Sequence, residues 1–353
     1  SVKFRKAIRM DRARLDRLRG WIESEGIAFG PISSVAPIAG GTQNRLLRVR
    51  AGDRELVLRC PSENARPEAE ATIRREARVL QALGPTNVPH ARFRGLCDDR
   101  DVFGAVFLMT DAVAGFNAAV GMPPRPRENA AIRHRMGLAM IDGIVALSAV
   151  DHISIGLADF GKLDGYIERQ VARWAGQLSR YREYNGWPGS SGLGPVESLG
   201  QWLDAHRPTE WKAGLMHGDY HIGNVLFDCE SGALNAMLDW ELAALGDPLL
   251  DLGRLLASWP DRNGESPLSL KVEPWSGFPE REELIERYAA GTGRSMRDLL
   301  WYEILACYKL AIILEGTFAR ACAGLVDSGL GDRLHNSARA LVSRGIAWLE
   351  ARA

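Results

Sequence analysis

Charge of one sign is missing from this chain in any excess. Its 353 residues carry 44 Lys plus Arg against 44 Asp plus Glu, a formal net charge of zero. That balance removes the global basic surplus of a non-specific nucleic-acid binder, and the acidic surplus that would gather polycations. Cysteine is scarce too. Cys60, Cys97, Cys229, Cys307 and Cys322 are odd in number, lie far apart and form no Cys-x-x-Cys pair. A zinc site or a disulfide framework therefore has no support, and reduced thiols in cores are expected. Long hydrophobic runs are also lacking. The most apolar long stretch, residues 299–314, is interrupted by Glu303 and Lys309, so it reads as a buried helix and not as a membrane span. The basic first residues are followed by no apolar segment of a secretory leader. The expectation is a cytoplasmic protein with neither a membrane nor a nucleic-acid partner, acting as a monomer or homodimer.

What is present is an ordinary globular balance, 46% hydrophobic and 25% charged, which argues against extensive disorder. The length exceeds one ordinary core and suits about two packed lobes. Residues 11–25 read as an amphipathic helix, with Leu15, Leu18 and Ile22 at helical spacing. Strand-like runs follow at 34–38, 45–50 and 55–59, the last two separated by the hairpin signal Gly52-Asp53. A helix over 68–83 stops at Gly84-Pro85, and the apolar run 102–109 reads as a buried strand. Beyond Gly115 the character changes. Helices are expected over 128–150, 162–184 and 197–206, with a Gly/Pro/Ser-rich loop at 185–194. Short strand-like runs return at 226–227 and 236–238, and from Glu280 the pattern is nearly all helical. The fold class expected is α+β: a nucleotide-binding lobe over residues 1–112, with an antiparallel sheet and one helix, and a larger helical lobe over 113–353 that carries a catalytic loop (211–260). No repeat or low-complexity tail is visible.

The segment that carries the chemistry is His217-Gly218-Asp219-Tyr220-His221-Ile222-Gly223-Asn224, followed 15 residues after Asn224 by Asp239 in Leu238-Asp239-Trp240-Glu241. Phosphoryl transfer from a nucleotide needs a carboxylate to orient and deprotonate the attacking hydroxyl, and hard oxygen ligands for magnesium. Asp219 suits the first task, and Asn224 and Asp239 suit the second. The His-x-Asp-x-x-x-x-Asn spacing is that of a kinase catalytic loop. Upstream, Gly40-Gly41-Thr42-Gln43-Asn44 lies between two strand-like runs, where glycine lets backbone N–H groups approach a phosphate. Arg59 closes the strand 55–59, where kinases place a lysine, and Glu76 on the next helix is its natural partner. Asp247, with Pro248 after it, reads as the cap of the following helix.

The stretch HGDYHIGNVLFD…AMLDWELAALGDPLLDLG resembles the aminoglycoside phosphotransferase and choline kinase family of small-molecule kinases. Within that family it is most similar to the kinase-like domains related to acyl-CoA dehydrogenase fusions. The resemblance implies a protein-kinase-like two-lobed fold and an ATP- (or GTP-) and Mg2+-dependent transfer to a hydroxyl of a small molecule. It implies that Gly40, Gly41 and Asn44 cover the phosphates and that Arg59 serves as the charged strand residue. It also implies that the 107–113 segment is a hinge whose backbone at Thr110 and Ala112 meets the base, with Met109 behind the ring. The acceptor suggested is a hydroxyacyl-type metabolite. The alternatives are an aminoglycoside 3'-type antibiotic, which needs an acidic pocket such as Glu280, Glu282, Glu283 and Glu286 could form, and a non-catalytic nucleotide-binding regulatory module.

Overall fold

A computed structural model describes residues 11–38, 44–62, 65, 68–268 and 270–352. The chain divides into two compact units: one runs to Ala114 and takes in Ala236–Glu241, and the other comprises Gly115–Asn235 and the chain from Leu242 onward.

The first unit contains α1 (Arg12–Ser24), β1 (Ile32–Pro37), β2 (Asn44–Ala51), β3 (Arg54–Pro61), α2 (Ala69–Leu83), β4 (Phe93–Cys97), α3 (Arg100–Phe103) and β5 (Phe107–Asp111). The strands form one antiparallel sheet in the order β1-β2-β3-β5-β4. Leu47, Val49 and Ala51 alternate with exposed Arg48 and Arg50 on β2, so one face of this strand enters the core with Leu56, Leu58, Leu18 and Ile22. The β2–β3 turn needs its glycine: Gly52 has φ +56, and a Cβ there would lie 2.2 Å from the Phe29 carbonyl oxygen. Asp11 caps α1 by accepting from the Arg14 amide at 2.7 Å.

Two local expectations fail here. The run 102–109 is not one strand: Asp99 accepts from the Asp101 amide and starts the short α3, Gly104 ends it at φ +88, and β5 begins only at Phe107. Capping chemistry overrides apolar content in this stretch. Strand β4 was not anticipated, because Arg94 and Gly95 interrupt its apolar pattern.

The second unit is mostly helical: α4 (Pro124–Glu128), α5 (Ala130–Ser148), α6 (Tyr166–Arg180), α7 (Val196–Ala205), then, after the strands named below, α8 (Leu249–Ser258), α9 (Arg281–Thr292), α10 (Leu299–Cys322) and α11 (Ser328–Glu350). Helix α6 starts four residues later than its sequence suggests, because Gly165 takes φ +59 just before it, and a 3-10 turn (Tyr181–Glu183) finishes it. The long α10 packs against α8 and α11 and buries Trp301, Tyr302, Ile304, Leu305 and Ile312. Among the described residues no helix is long and apolar enough to cross a membrane.

Short strands β6 (Gly214–Met216), β7 (Val225–Phe227), β8 (Leu234–Met237) and β9 (Ala244–Gly246) punctuate this helical region. The β6–β9 pair, Gly214 opposite Gly246 and Met216 opposite Ala244, was not read from the sequence, since three-residue strands leave too short a pattern. It matters because β6 runs directly into His217 and β9 directly into Asp247.

Candidate active site

In the second unit, the loop after β6 is held from beneath by Asp251 of α8. This fully buried carboxylate accepts from the His217 amide at 2.7 Å and from the Gly218 amide at 2.9 Å. Burial pushes its carboxyl up, against His217 and the two amides. Gly218 sits at φ +84 with a would-be Cβ 2.2 Å from the Leu242 carbonyl oxygen, so only glycine permits this approach. His217 is fully buried, its Nδ1 faces the Asp219 amide at 3.3 Å, and its ring meets Tyr220 edge-on. That is the loop-bracing role of a structural histidine.

Asp219 is thereby presented with its side chain 30% exposed. Arg254 of α8 approaches Oδ1 through Nε and Nη2, both at 2.9 Å. On the other oxygen, Asn224 Nδ2 lies 3.3 Å and His221 Nε2 3.6 Å from Oδ2. Burial pushes the Asp219 carboxyl up, but Arg254 and the two histidines more than offset this and hold it well below the usual carboxylate range. His221 accepts from the Gly223 amide at Nδ1, and burial lowers its pKa, so it is the neutral Nε2–H tautomer that faces Asp219. Asn224 Nδ2 also donates to the Asp219 carbonyl at 3.0 Å, which leaves its amide oxygen as the end suited to a hard cation. Lys309 of α10 donates to the Gly218 carbonyl at 3.3 Å; burial lowers its pKa, opposed by Asp219.

The first unit gathers the other expected residues. Arg59, at 8% exposure, faces three carboxylates. Its Nη2 bonds Asp239 Oδ1 at 2.5 Å and Glu241 Oε2 at 2.9 Å. Its Nε lies 3.0 Å from Glu76 Oε2 without hydrogen-bond geometry, so that contact is an ion pair only. Asn44, at the start of β2, donates to Glu241 Oε2 at 3.0 Å. Burial disfavours the Arg59 charge, and Glu76, Asp239 and Glu241 more than restore it. Glu76, 3% exposed, is pushed up to about 7 by burial, with Arg59 pulling the other way and Asp239 and Glu241 adding to the rise. Asp239 is the one non-glycine among the described residues with positive φ, at +65, a strained conformation that Asp tolerates better than most.

The hinge residues depart from expectation. Met109 is fully enclosed in the core, opposite Leu58 in the sheet. The Ala112 amide donates to the Glu55 carbonyl at 2.9 Å, and the Asp111 amide to the Arg92 carbonyl at 2.9 Å. Sheet pairing has therefore already engaged the Ala112 donor that a base would use. Thr110 is buried in the ladder between β3 and β4. Gly40 and Gly41 lie outside the described residues. In the acidic run at the start of α9, Glu280 approaches Arg262 at 3.3 Å, Glu282 approaches Arg281 at 3.4 Å and Glu283 approaches His134 at 2.8 Å, while Glu286 is exposed. Asp247 is the structural pin expected, accepting from the Leu249 amide, Arg294 and Tyr302.

Sequence reasoning gave no part to Glu241, Arg254 or Lys309. A signal existed for the last two. Each is a charge inside an apolar helical run, LLDLGRLLA and ILACYKLAI, and a buried charge requires a partner. The oxygens of Asn224 and Asp239 suit magnesium, which keeps water and phosphate ligands and takes few from the protein. Among the described residues no three His, Cys, Asp or Glu side chains group as a metal cage.

Residues 34–298 match the phosphotransferase enzyme family, and the chain belongs to that family. Its fold is protein-kinase-like. A solved structure provisionally assigned as an aminoglycoside phosphotransferase, from Ralstonia eutropha, is 29% identical with a TM-score of 0.78, over 95% of this chain and 98% of that one. A thermostable mutant of aminoglycoside phosphotransferase APH(4)-Ia, solved with AMP-PNP and hygromycin B, shares the fold at 16% identity and a TM-score of 0.59, over 94% and 99%. Acyl-CoA dehydrogenase family member 10 of Mus musculus is 31% identical over 82% of this chain. The chain spans only 26% of that protein's length, and 37% to 40% of related family member 11 proteins.

Proposed function

We propose that this chain transfers the γ-phosphoryl group of ATP, with magnesium, to a hydroxyl of a small molecule. The observation that carries the reading is the Asp219 carboxylate, fixed on one side by Arg254 and on the other by Asn224, yet still partly open. Asp219 accepts a hydrogen bond from the attacking hydroxyl and orients it in line. Because Arg254 depresses its proton affinity, Asp219 takes the proton late, as the bond to phosphorus forms and the hydroxyl turns acidic. Asn224 and Asp239 would hold magnesium through their side-chain oxygens, and the ion would supply positive charge against the phosphates. Arg59, backed by Glu76 and Glu241, binds phosphate oxygens, with Asn44 and the Gly40-Gly41 segment beside them. Positioning and preorganised charge then do most of the catalytic work.

A hydroxyl acceptor of hydroxyacyl type is supported by the likeness to acyl-CoA dehydrogenase family member 10. The aminoglycoside alternative keeps the support of the fold likeness, while three of its four candidate acids, Glu280, Glu282 and Glu283, contact basic side chains. Asp219→Asn should lower turnover by ~10²–10⁴-fold in a coupled ADP-release assay, with AMP-PNP affinity preserved. Parent-level turnover in that variant would remove Asp219 from the mechanism.

A further inference from the structure

Beside the catalytic loop, two cations share one aromatic ring. Lys309 Nζ lies 5.6 Å from the Trp174 ring centroid, and the Arg173 guanidinium lies 5.1 Å from the same centroid. Both distances are within cation–π range. The indole Nε1 of Trp174 is buried without a hydrogen-bond partner. Lys309 makes one long bond, to the carbonyl of Gly218, the residue before Asp219.

The neighbouring carboxylates offset this group only in part: burial opposes its charge, and Asp219 and Asp251 favour it. Asp219 is engaged by Arg254, and Asp251 by two backbone amides. Arg173 and Arg254 act on Lys309 as like charges. Three cations, Arg173, Arg254 and Lys309, thus stand against two carboxylates already in use. With Arg254 matched by Asp219, the group keeps one cation in excess beside an indole N–H that lacks an acceptor.

Resting on the phosphotransferase reading above, we propose that the acceptor carries a carboxylate or phosphate group close to its reactive hydroxyl, and that Lys309 and Arg173, held over the Trp174 ring, receive that anion beside Asp219. The hydroxyl then meets the carboxylate of Asp219 while the anionic end is anchored one residue away along the loop. A polycationic aminoglycoside meets repulsion at the same place.

The test uses the full chain with Mg2+ and AMP-PNP, reading tryptophan fluorescence and thermal shift. Four probes distinguish the anion's source: 3-hydroxybutyrate against its methyl ester, and glycerol 3-phosphate against glycerol; kanamycin is the cationic control. We expect at least one anionic probe to bind about tenfold or more tightly than its neutral counterpart, the size of one charge-assisted contact. Lys309→Met and the exposed Arg173→Gln should each erode that discrimination at unchanged AMP-PNP affinity, and Lys309→Arg should retain part of it. Equal binding of acid and ester and of phosphate and alcohol, binding of none of the four, or tightest binding of kanamycin would each overturn the inference. So would variants that weaken charged and neutral probes alike. Failure to bind AMP-PNP overturns the phosphotransferase reading itself, and this inference with it.

Discussion

The two units hold mirror-image charge clusters. In the first, one guanidinium, Arg59, is surrounded by three carboxylates, Glu76, Asp239 and Glu241. In the second, one functional carboxylate, Asp219, stands among cations, Arg254 bonded to it and Lys309 on the preceding residue's carbonyl. Burial raises the carboxyl in both places. The difference lies in the local majority. Burial, aided by Asp239 and Glu241 against Arg59, leaves Glu76 at about 7, whereas the cation majority drives Asp219 well below its ordinary range. The first cluster is acidic overall around its one guanidinium; the second keeps a carboxylate ionised and aimed. The same side-chain chemistry is tuned in opposite directions by its neighbours alone.

The strongest way to break this comparison is to remove the central guanidinium. Arg59→Met leaves three carboxylates together, two of them largely buried, and should cost about 3–5 kcal/mol of unfolding free energy in urea titrations at pH 8. Arg59→Lys should recover part of this, since the charge is kept and the fork is lost. A loss under 1 kcal/mol for Arg59→Met would mean that the cluster is not a structural unit.

A smaller, pH-dependent effect sharpens the contrast. Glu76 has its folded pKa raised from 4.5 to about 7, so its contribution is fully present below pH 4.5 and is lost as pH rises through 7. Relative to Glu76→Gln, the parent should lose on the order of 3 kcal/mol of stability between pH 4.5 and pH 8. Parallel stability curves for the two proteins would contradict the raised carboxyl.

The mildest test addresses the second cluster. Arg254→Gln removes the largest of the influences that together outweigh burial, so the Asp219 carboxyl should move up. The variant should then lose about tenfold more activity than the parent on going from pH 8 to pH 5. An unchanged acid limb in the pH–rate profile would show that Arg254 does not tune Asp219.

The legibility of these clusters in the sequence was uneven. Asp219, Asn224 and Asp239 were visible because their spacing is local, within 21 residues, and a loop followed by a hairpin carries its own pattern. Arg59 and Glu76 were visible because strand and helix periods place them at element positions with a recognisable order. Glu241 stood in the same motif as Asp239 but gave no hint that it would reach Arg59 and Asn44, 182 and 197 residues away in sequence. The Arg254 and Lys309 contacts join α8 and α10 to a loop, and no periodicity encodes such a meeting. Likewise nothing in the sequence showed that the Ala112 amide would be engaged by the Glu55 carbonyl.

The amino-acid order by itself determined the α+β class, the succession of a sheet-rich and a helix-rich region, and the candidate motif of Asp219, Asn224 and Asp239, because each depends on local spacing or on residue type. Only the tertiary structure decided which charges are neutralised, which are left over, and which backbone donors are already engaged. Those properties arise from burial and from contacts between segments far apart in the chain. The physical reason is that a side chain's charge state is a property of its surroundings, and surroundings exist only once the chain has packed.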